Sequence, residues 1–201
     1  MPAELFLIRH AEPIFPEGGR IYFGKEQDPP LSPAGRLQAE KAAARLADRG
    51  IARIYSSPAR RCLETAAPLA ESLGIGITVL DALRELDPGA WAGRSVASVR
   101  AEYGKAFEEG TCFPPPGGES DASGLLRARE ALAVVTGEEG NAAIFGHAGL
   151  LRLMLSEMTG IPAGNRNAFD IRCASPLPVT VTGKGQFLPG PECFRRPENE
   201  K

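Results

Sequence analysis

The amino-acid sequence predicts an α/β fold: a three-layer sandwich with a mainly parallel central sheet and helices on both faces. Two short runs and the chain length predict it. Leu5 to Ile8 and Ala142 to Phe145 are uninterrupted apolar stretches too short for helices, as expected of strands covered on both faces of a parallel sheet. The second run leads into Leu150, Leu151, Met154, Leu155 and Met158, spaced as a helix buried over most of its circumference. The 201 residues fit a single domain, 1–201, large enough for such a sheet and its helices.

The first strand ends abruptly in Arg9 and His10. Residues 11 to 30 form a loop, broken by Pro13, Pro16, Gly18, Gly19 and Gly24, that crosses over the strand end. Its large apolar groups, Ile14, Phe15, Tyr22 and Phe23, either cover the core or wall a pocket for the organic part of a ligand. Ser32-Pro33 is an N-cap hydroxyl followed by the residue best tolerated in a first helical turn; Ala39, Ala43 and Leu46 then share a face, and Gly50 stops the helix. Ile51 to Tyr55 supply a second strand. Ser56-Ser57-Pro58 reads as another cap, opening a helix with Cys62, Ala66, Leu69 and Leu73 on one side. That helix points Arg60 or Arg61 toward the strand ends, an unfavourable first-turn position for a cation unless an anion is near. A third strand covers Ile75 to Leu80.

Residues 83 to 93 are turn-rich and hold the only tryptophan, Trp91, together with Glu85, which follows a strand and a short loop closely enough to reach the same edge. Residues 95 to 109 are helical, and Gly110 to Gly118, with three consecutive prolines, make a stiff connection. Leu125, Ala128, Leu132 and Val135 space the next amphipathic helix, and Asp170 to Val181 give one or two edge strands, since Pro176 and Pro178 argue against a central place for the second. The tail after Thr182, rich in glycine, proline and charge, is expected to be loose at its end.

Composition narrows the function classes. A formal charge of -2 with dispersed Arg and Lys offers no basic patch for nucleic acid and no tail for a membrane surface. No targeting or spanning segment is visible, so a cytoplasmic protein is the expectation. Cys62, Cys112, Cys173 and Cys193 lack Cys-x-x-Cys spacing, and neither glycine-rich nucleotide loop is present. No metal and no cofactor are therefore expected, and side chains must supply the positive field for any bound phosphate.

The chain has two histidines, His10 and His147, each at a strand end. An Arg-His pair, an arginine in the first turn after another strand, and a second histidine would make a compact cationic cage. Arginine offers paired donors matched to phosphate oxygens, and a neutral imidazole is a competent nucleophile toward phosphorus near neutral pH. An acid must then protonate the departing alkoxide. Glu85 is the best-placed candidate and Glu12 the reserve.

At this point the chain resembles the histidine phosphatase, or phosphoglycerate mutase-like, superfamily over roughly residues 4 to 181. The resemblance rests on Leu7-Ile8-Arg9-His10-Ala11-Glu12, Leu31-Ser32-Pro33-Ala34-Gly35, Ser56-Ser57-Pro58-Ala59-Arg60-Arg61 with Glu64-Thr65-Ala66, Leu83-Arg84-Glu85 with Gly89-Ala90-Trp91, Pro116-Gly117-Gly118-Glu119-Ser120, and Gly146-His147-Ala148-Gly149. It implies that His10 becomes phosphohistidine, that Arg9, Arg61 and His147 hold the phosphoryl group, and that Glu85 donates the proton. Ala148, Glu12, Tyr22, Phe23 and Gly24 complete the expected substrate-binding set. The threonine-alanine pair selects Arg61 over Arg60. Three departures stand out: Ala11 replaces the usual glycine, Pro16 stands where an asparagine often touches phosphate, and Ala92 replaces a glutamate.

Within the superfamily, the short region between the glutamate motif and the second histidine, with Phe107, Phe113 and prolines, favours a partly apolar pocket and hydrolysis over phosphoglycerate mutation. Overall length, the Pro-Gly-Gly-Glu-Ser segment and Ile21-Tyr22-Phe23-Gly24 are similar to the alpha-ribazole phosphatase branch, whose label also covers broad-specificity phosphatases. The implied partner is a small phosphomonoester, with α-ribazole 5'-phosphate a candidate and a homodimer left open. A phosphoglycerate mutase, a phosphohistidine-protein phosphatase and a non-catalytic phosphate sensor are the competing readings.

Overall fold

The computed structural model describes residues 3–108 and 114–195, leaving aside the side chains of 105–108. Cys112, Phe113 and the Phe107 side chain thus lie outside the described residues, as does most of the proline-rich connection's first half. Six strands form one sheet: β1 (Ala3–Arg9), β2 (Ile51–Ser56), β3 (Ile77–Val79), β4 (Asn141–Gly146), β5 (Leu177–Val181) and β6 (Phe187–Pro189). Their order is β3-β2-β4-β1-β5-β6, with the first four parallel and the last two antiparallel.

Helices α1 (Pro33–Leu46) and α2 (Arg60–Leu73) cover one face, and α4 (Asp121–Thr136) and α5 (Ala148–Thr159) the other; α3 (Val96–Glu108), kinked at Tyr103, borders the cleft. Strand alternation divides the core. Leu5 and Leu7 join Ala142 and Ile144 under α4 and α5, while Phe6 and Ile8 join Ala143 and Phe145 under α1 and α2. Ile51 and Ile54 share a face despite their odd spacing, because the β2 register shifts between Ile51 and Arg53.

Three expectations change. β3 is a three-residue strand, shorter than Ile75 to Leu80, because Ile75 N–H is spent on Ala70 O at the left-handed C-cap of α2. β5 is interior and not an edge, flanked by β1 and by a sixth strand from the segment after Thr182. Pro178 is tolerated there because its carbonyl accepts from Gly190 N–H on the β6 side. The N–H that proline lacks would face that same side, beyond the end of the short β5–β6 ladder.

The third change concerns α2, which begins at Arg60 without a serine cap. Ser56 Oγ donates to Ser57 O, and Ser57 Oγ lies 2.9 Å from His147 Nε2. The carboxylate of Asp28, from the long loop, takes Arg60 N–H instead at 2.8 and 3.0 Å. Ser32 does cap α1, accepting from Gly35 N–H at 2.9 Å.

Candidate active site

The carboxyl ends of β1, β2 and β4 meet at one edge, so residues 9–10, 56–57 and 146–147 converge although they are distant in sequence. They open into a cleft of about 800 Å³. His10 N–H donates to Gly146 O and Ser57 N–H to Phe145 O, which extends the ladder one residue past each strand and fixes where the side chains leave the sheet.

His10 is buried, with Nδ1 2.7 Å from Ala11 O. A carbonyl only accepts, so Nδ1 carries the proton and Nε2 keeps its lone pair. Burial foremost, then His147, hold the His10 imidazole well below its ordinary pKa; the Ala11 carbonyl opposes this, and Arg61 and Arg9 add lesser downward effects. The ring is thus neutral and fixed in the tautomer that leaves Nε2 nucleophilic. Ala11 N–H donates to Thr65 Oγ1, which donates to Arg61 O, so Thr65 ties the His10 turn to α2.

His147 stands edge-on to His10, ring centroids 5.2 Å apart. Arg61 Nη2 lies 3.3 Å from its Nδ1, and because a guanidinium only donates, Nδ1 accepts and Nε2–H donates to Ser57 Oγ. Burial first, then Arg61 and Arg9, push its pKa well down. The Nε nitrogens of Arg9 and Arg61 are buried without a hydrogen-bond partner. Four cationic or cation-competent groups packed so closely repel one another until an anion arrives, which is the electrostatic signature of an oxyanion site.

Arg61 rather than Arg60 enters the cage. Arg60 turns outward to Glu64 at 2.7 Å, whereas Arg61 is buried, its guanidinium 5.2 Å from the Phe23 ring centroid and 3.6 Å from Asp28. Asp28 is therefore the anion that the first-turn arginines of α2 already have beside them.

Glu85 reaches the same edge by another route. His147, the N-cap of α5, makes no side-chain cap, and the Glu85 carboxylate takes its place, accepting from Gly149 N–H at 3.3 Å and Leu150 N–H at 3.2 Å. The Leu86 N–H adds a third bond at 3.0 Å. Arg127 braces the segment behind it, donating to Ala82 O and Arg84 O while paired to Glu119 of the Pro-Gly-Gly-Glu-Ser motif.

Gly149 is required by this contact: a Cβ there would stand 2.5 Å from Glu85 Oε1 and 3.1 Å from Leu86 side-chain atoms. Gly149→Ala is expected to displace the carboxylate and lower kcat by about tenfold or more, the cost of a misplaced catalytic group. Its thermal unfolding midpoint should move by only a few degrees, which separates the effect from loss of fold.

Arg9, His10, Arg61, Glu85, His147, Ala148, Tyr22 and Phe23 all line the cleft, and Gly24 lines a smaller recess that shares Phe23, Arg61, Glu85 and His147. The loop is thus a pocket wall as well as a cover, with Phe15 stacked on Phe23 at 5.7 Å and Tyr22 against Trp91 at 5.4 Å. Glu12 is not brought to the site. Its carboxylate accepts from Ser32 Oγ at 2.9 Å and anchors the start of α1.

Sequence reasoning missed Ser57 as the partner of His147, because a serine before a proline reads as a cap. It also missed the arginines of the outer cleft, Arg20, Arg100, Arg152, Arg166 and Arg195, which carry no local pattern. Burial pushes the Cys62 thiol, close beside His147, up to about 12, so it stays protonated. Among the described residues no group of three or more His, Cys, Asp or Glu is placed to hold a metal ion, and no helix is long and apolar enough to cross a membrane.

Comparisons with known proteins agree with this geometry. The model of the histidine phosphatase superfamily (branch 1) matches residues 5–189. A bifunctional protein of Mycobacterium tuberculosis is 35% identical over 173 residues, 84% of this chain, which spans only 45% of that relative's length. Phosphoserine phosphatase 1 of Hydrogenobacter thermophilus is 34% identical over 164 residues, 79% of this chain and 77% of its own. Among solved structures, mycobacterial glucosyl-3-phosphoglycerate phosphatase superposes with a TM-score of 0.80 at 28% identity, covering 97% of this chain and 96% of that one. A putative alpha-ribazole-5'-P phosphatase of Escherichia coli shares the fold, with a TM-score of 0.80 over 97% of this chain and 99% of that one, at 20% identity. With the family model matched from β1 through β6, the chain belongs to the histidine phosphatase superfamily, branch 1.

Proposed function

We propose that the protein hydrolyses small phosphomonoesters through a phosphohistidine on His10. The observation that carries this reading is the fixed, neutral His10 imidazole, its Nδ1 proton committed to Ala11 O, inside a cage made by Arg9, Arg61 and His147. In the first step His10 Nε2 attacks phosphorus and the bond to the ester oxygen breaks. Arg9 and Arg61, joined by His147 once the bound anion lets its Nδ1 take up a proton, balance charge on the three remaining oxygens, and Glu85 gives its proton to the leaving alkoxide. In the second step Glu85 takes a proton from water, the water oxygen attacks phosphorus, and inorganic phosphate leaves His10 neutral again.

Hydrolysis is favoured over mutation because the region between Trp91 and Glu119, before the second histidine, is short. With 3-phosphoglycerate and its bisphosphate primer, release of inorganic phosphate should outrun formation of 2-phosphoglycerate. Fast interconversion without matching phosphate release would make mutase the better name.

The alcohol is read only as a small phosphorylated one. Chain length, the Pro-Gly-Gly-Glu-Ser segment and the Ile21 to Gly24 loop support α-ribazole 5'-phosphate, but two relatives of 30% identity or more carry the names of phosphoserine and glucosyl-3-phosphoglycerate phosphatases. The positive charge of the cage comes from side chains, so dialysis against a strong chelator should leave the rate unchanged. A loss restored by one divalent ion would show a metal-dependent step.

A further inference from the structure

We propose that the outer cleft holds a second anionic group of the substrate, a carboxylate or a further phosphoryl group, on Arg152, Arg166 and Arg195. The inference rests on the phosphomonoesterase reading and deepens it.

Charge counting opens the argument. Among the described residues seven arginines line the cleft against four carboxylates, Glu85, Asp87, Glu119 and Asp121. Two of those acids are engaged by cations that do not line it: Asp87 by Lys25 at 3.3 Å and Glu119 by Arg127 at 2.6 Å. A phosphoryl dianion offsets Arg9 and Arg61. The cleft therefore keeps a surplus of positive charge after the reacting group is bound.

Three of these arginines come from neighbouring segments. Arg152 lies four residues after Ala148 on α5, so one helical turn, about 5 to 6 Å, separates it from the cage. Its Nε donates to Phe169 O at 3.2 Å, while Arg9 Nη1 reaches Ile171 O at 3.4 Å, so the two guanidinium groups hang from the same stretch. Arg195 joins that stretch through its N–H to Ala168 O and the Phe169–Phe194 bridge. Arg166, in the turn just before it, is paired with Asp121.

No carboxylate pairs with Arg152 or Arg195 among the described residues. Burial first, then the charges of Arg195 and Arg9, push the Arg152 guanidinium below its ordinary range. Arg152 and Arg195, forks lining one cavity without acids to match them, are suited to an oxyanion with two acceptor atoms, with Arg166, held by Asp121, beside them. A group one turn from the reacting phosphoryl corresponds to a carboxylate or phosphate a few bonds along a small alcohol. The cleft is thus partly apolar, with one aromatic wall, and its other wall is cationic.

The test uses pairs of phosphoesters that differ in the second group: O-phosphoserine against O-phosphoethanolamine, and propane-1,3-diol bisphosphate against its monophosphate. Affinities are measured by calorimetry on full-length His10→Ala protein, so the comparison does not depend on turnover. The doubly anionic member of at least one pair should bind about tenfold or more tightly, and the pair that shows it separates carboxylate from phosphoryl. In His10→Ala carrying Arg195→Gln the preference should fall at least about threefold. Arg166→Gln provides a second variant, away from the Arg152 anchor.

Equal affinity within both pairs, including no measurable binding of either member, overturns the inference. So does a preference unchanged in both arginine variants. Hydrolysis of either pair by the wild-type chain reports separately on the phosphatase reading.

Discussion

Alanine at position 10 is expected to remove at least about three decades of kcat while leaving the protein folded. The magnitude is that of losing a covalent route, since water is a far weaker nucleophile toward phosphorus than a neutral imidazole. The structure adds a reason for the loss to fall on kcat. In the proposed mechanism His10 contributes Nε2 to the reacting geometry, whereas phosphate contacts would come from Arg9, Arg61 and His147, so KM for a simple phosphoester should change much less. A steady-state comparison, with a thermal melt to confirm the fold, checks this. Loss of affinity with kcat retained would move His10 from nucleophile to binding residue.

Glutamine at position 85 is expected to slow alkyl phosphates by about 100-fold or more and an activated aryl phosphate by less than about tenfold, because a phenolate leaves with little need of a proton. The side chain would keep much of its position. An amide oxygen can still accept from Leu86 and Leu150 N–H, leaving the amide nitrogen opposite Gly149 N–H, the longest of the three contacts at 3.3 Å. Any loss from that poorer contact applies to both leaving groups and cancels in the ratio. The formation of phosphohistidine is followed directly, so that slow hydrolysis of the intermediate does not mask the first step. Equal losses for both substrates would give Glu85 a structural or electrostatic role. A leaving-group-dependent loss in Glu12→Gln would transfer the acid to Glu12, although its carboxylate is occupied by Ser32.

The features legible in the sequence are those written in local pattern. Apolar runs too short for helices mark β1 and β4, and the polar residues that end them, Arg9, His10 and His147, fall where a parallel sheet must bring strand ends together. Helix periodicity locates α1, α2, α4 and α5. The features that were not legible depend on partners far along the chain. Ser57 and Asp28 exchange the roles that capping rules assign: the serine turns to His147, 90 residues away, and the aspartate comes 32 residues to cap α2.

Glu85 is legible as a candidate, but its anchoring on Gly149 and Leu150 is a contact across 64 and 65 residues. Glu12 shows the converse, a carboxylate two residues from His10 whose side chain is drawn to α1. Pro178 inside an interior strand is readable only once the brevity of β6 is known. The arginines of the outer cleft come from the 11–30 loop, α3, α5, the turn at Ala163–Ala168 and the segment after β6, and no spacing rule links them.

The claim on which the account depends is that His10 carries the phosphoryl group. Rapid alkali-quench of the enzyme with a phosphomonoester labelled on phosphorus, followed by peptide mapping at alkaline pH where phosphohistidine survives, tests it most directly. The account predicts label on the peptide containing His10, appearing before inorganic phosphate and decaying with its release. Label on the His147 peptide with His10 unmodified, or turnover with no phosphoenzyme at any quench time, would contradict it.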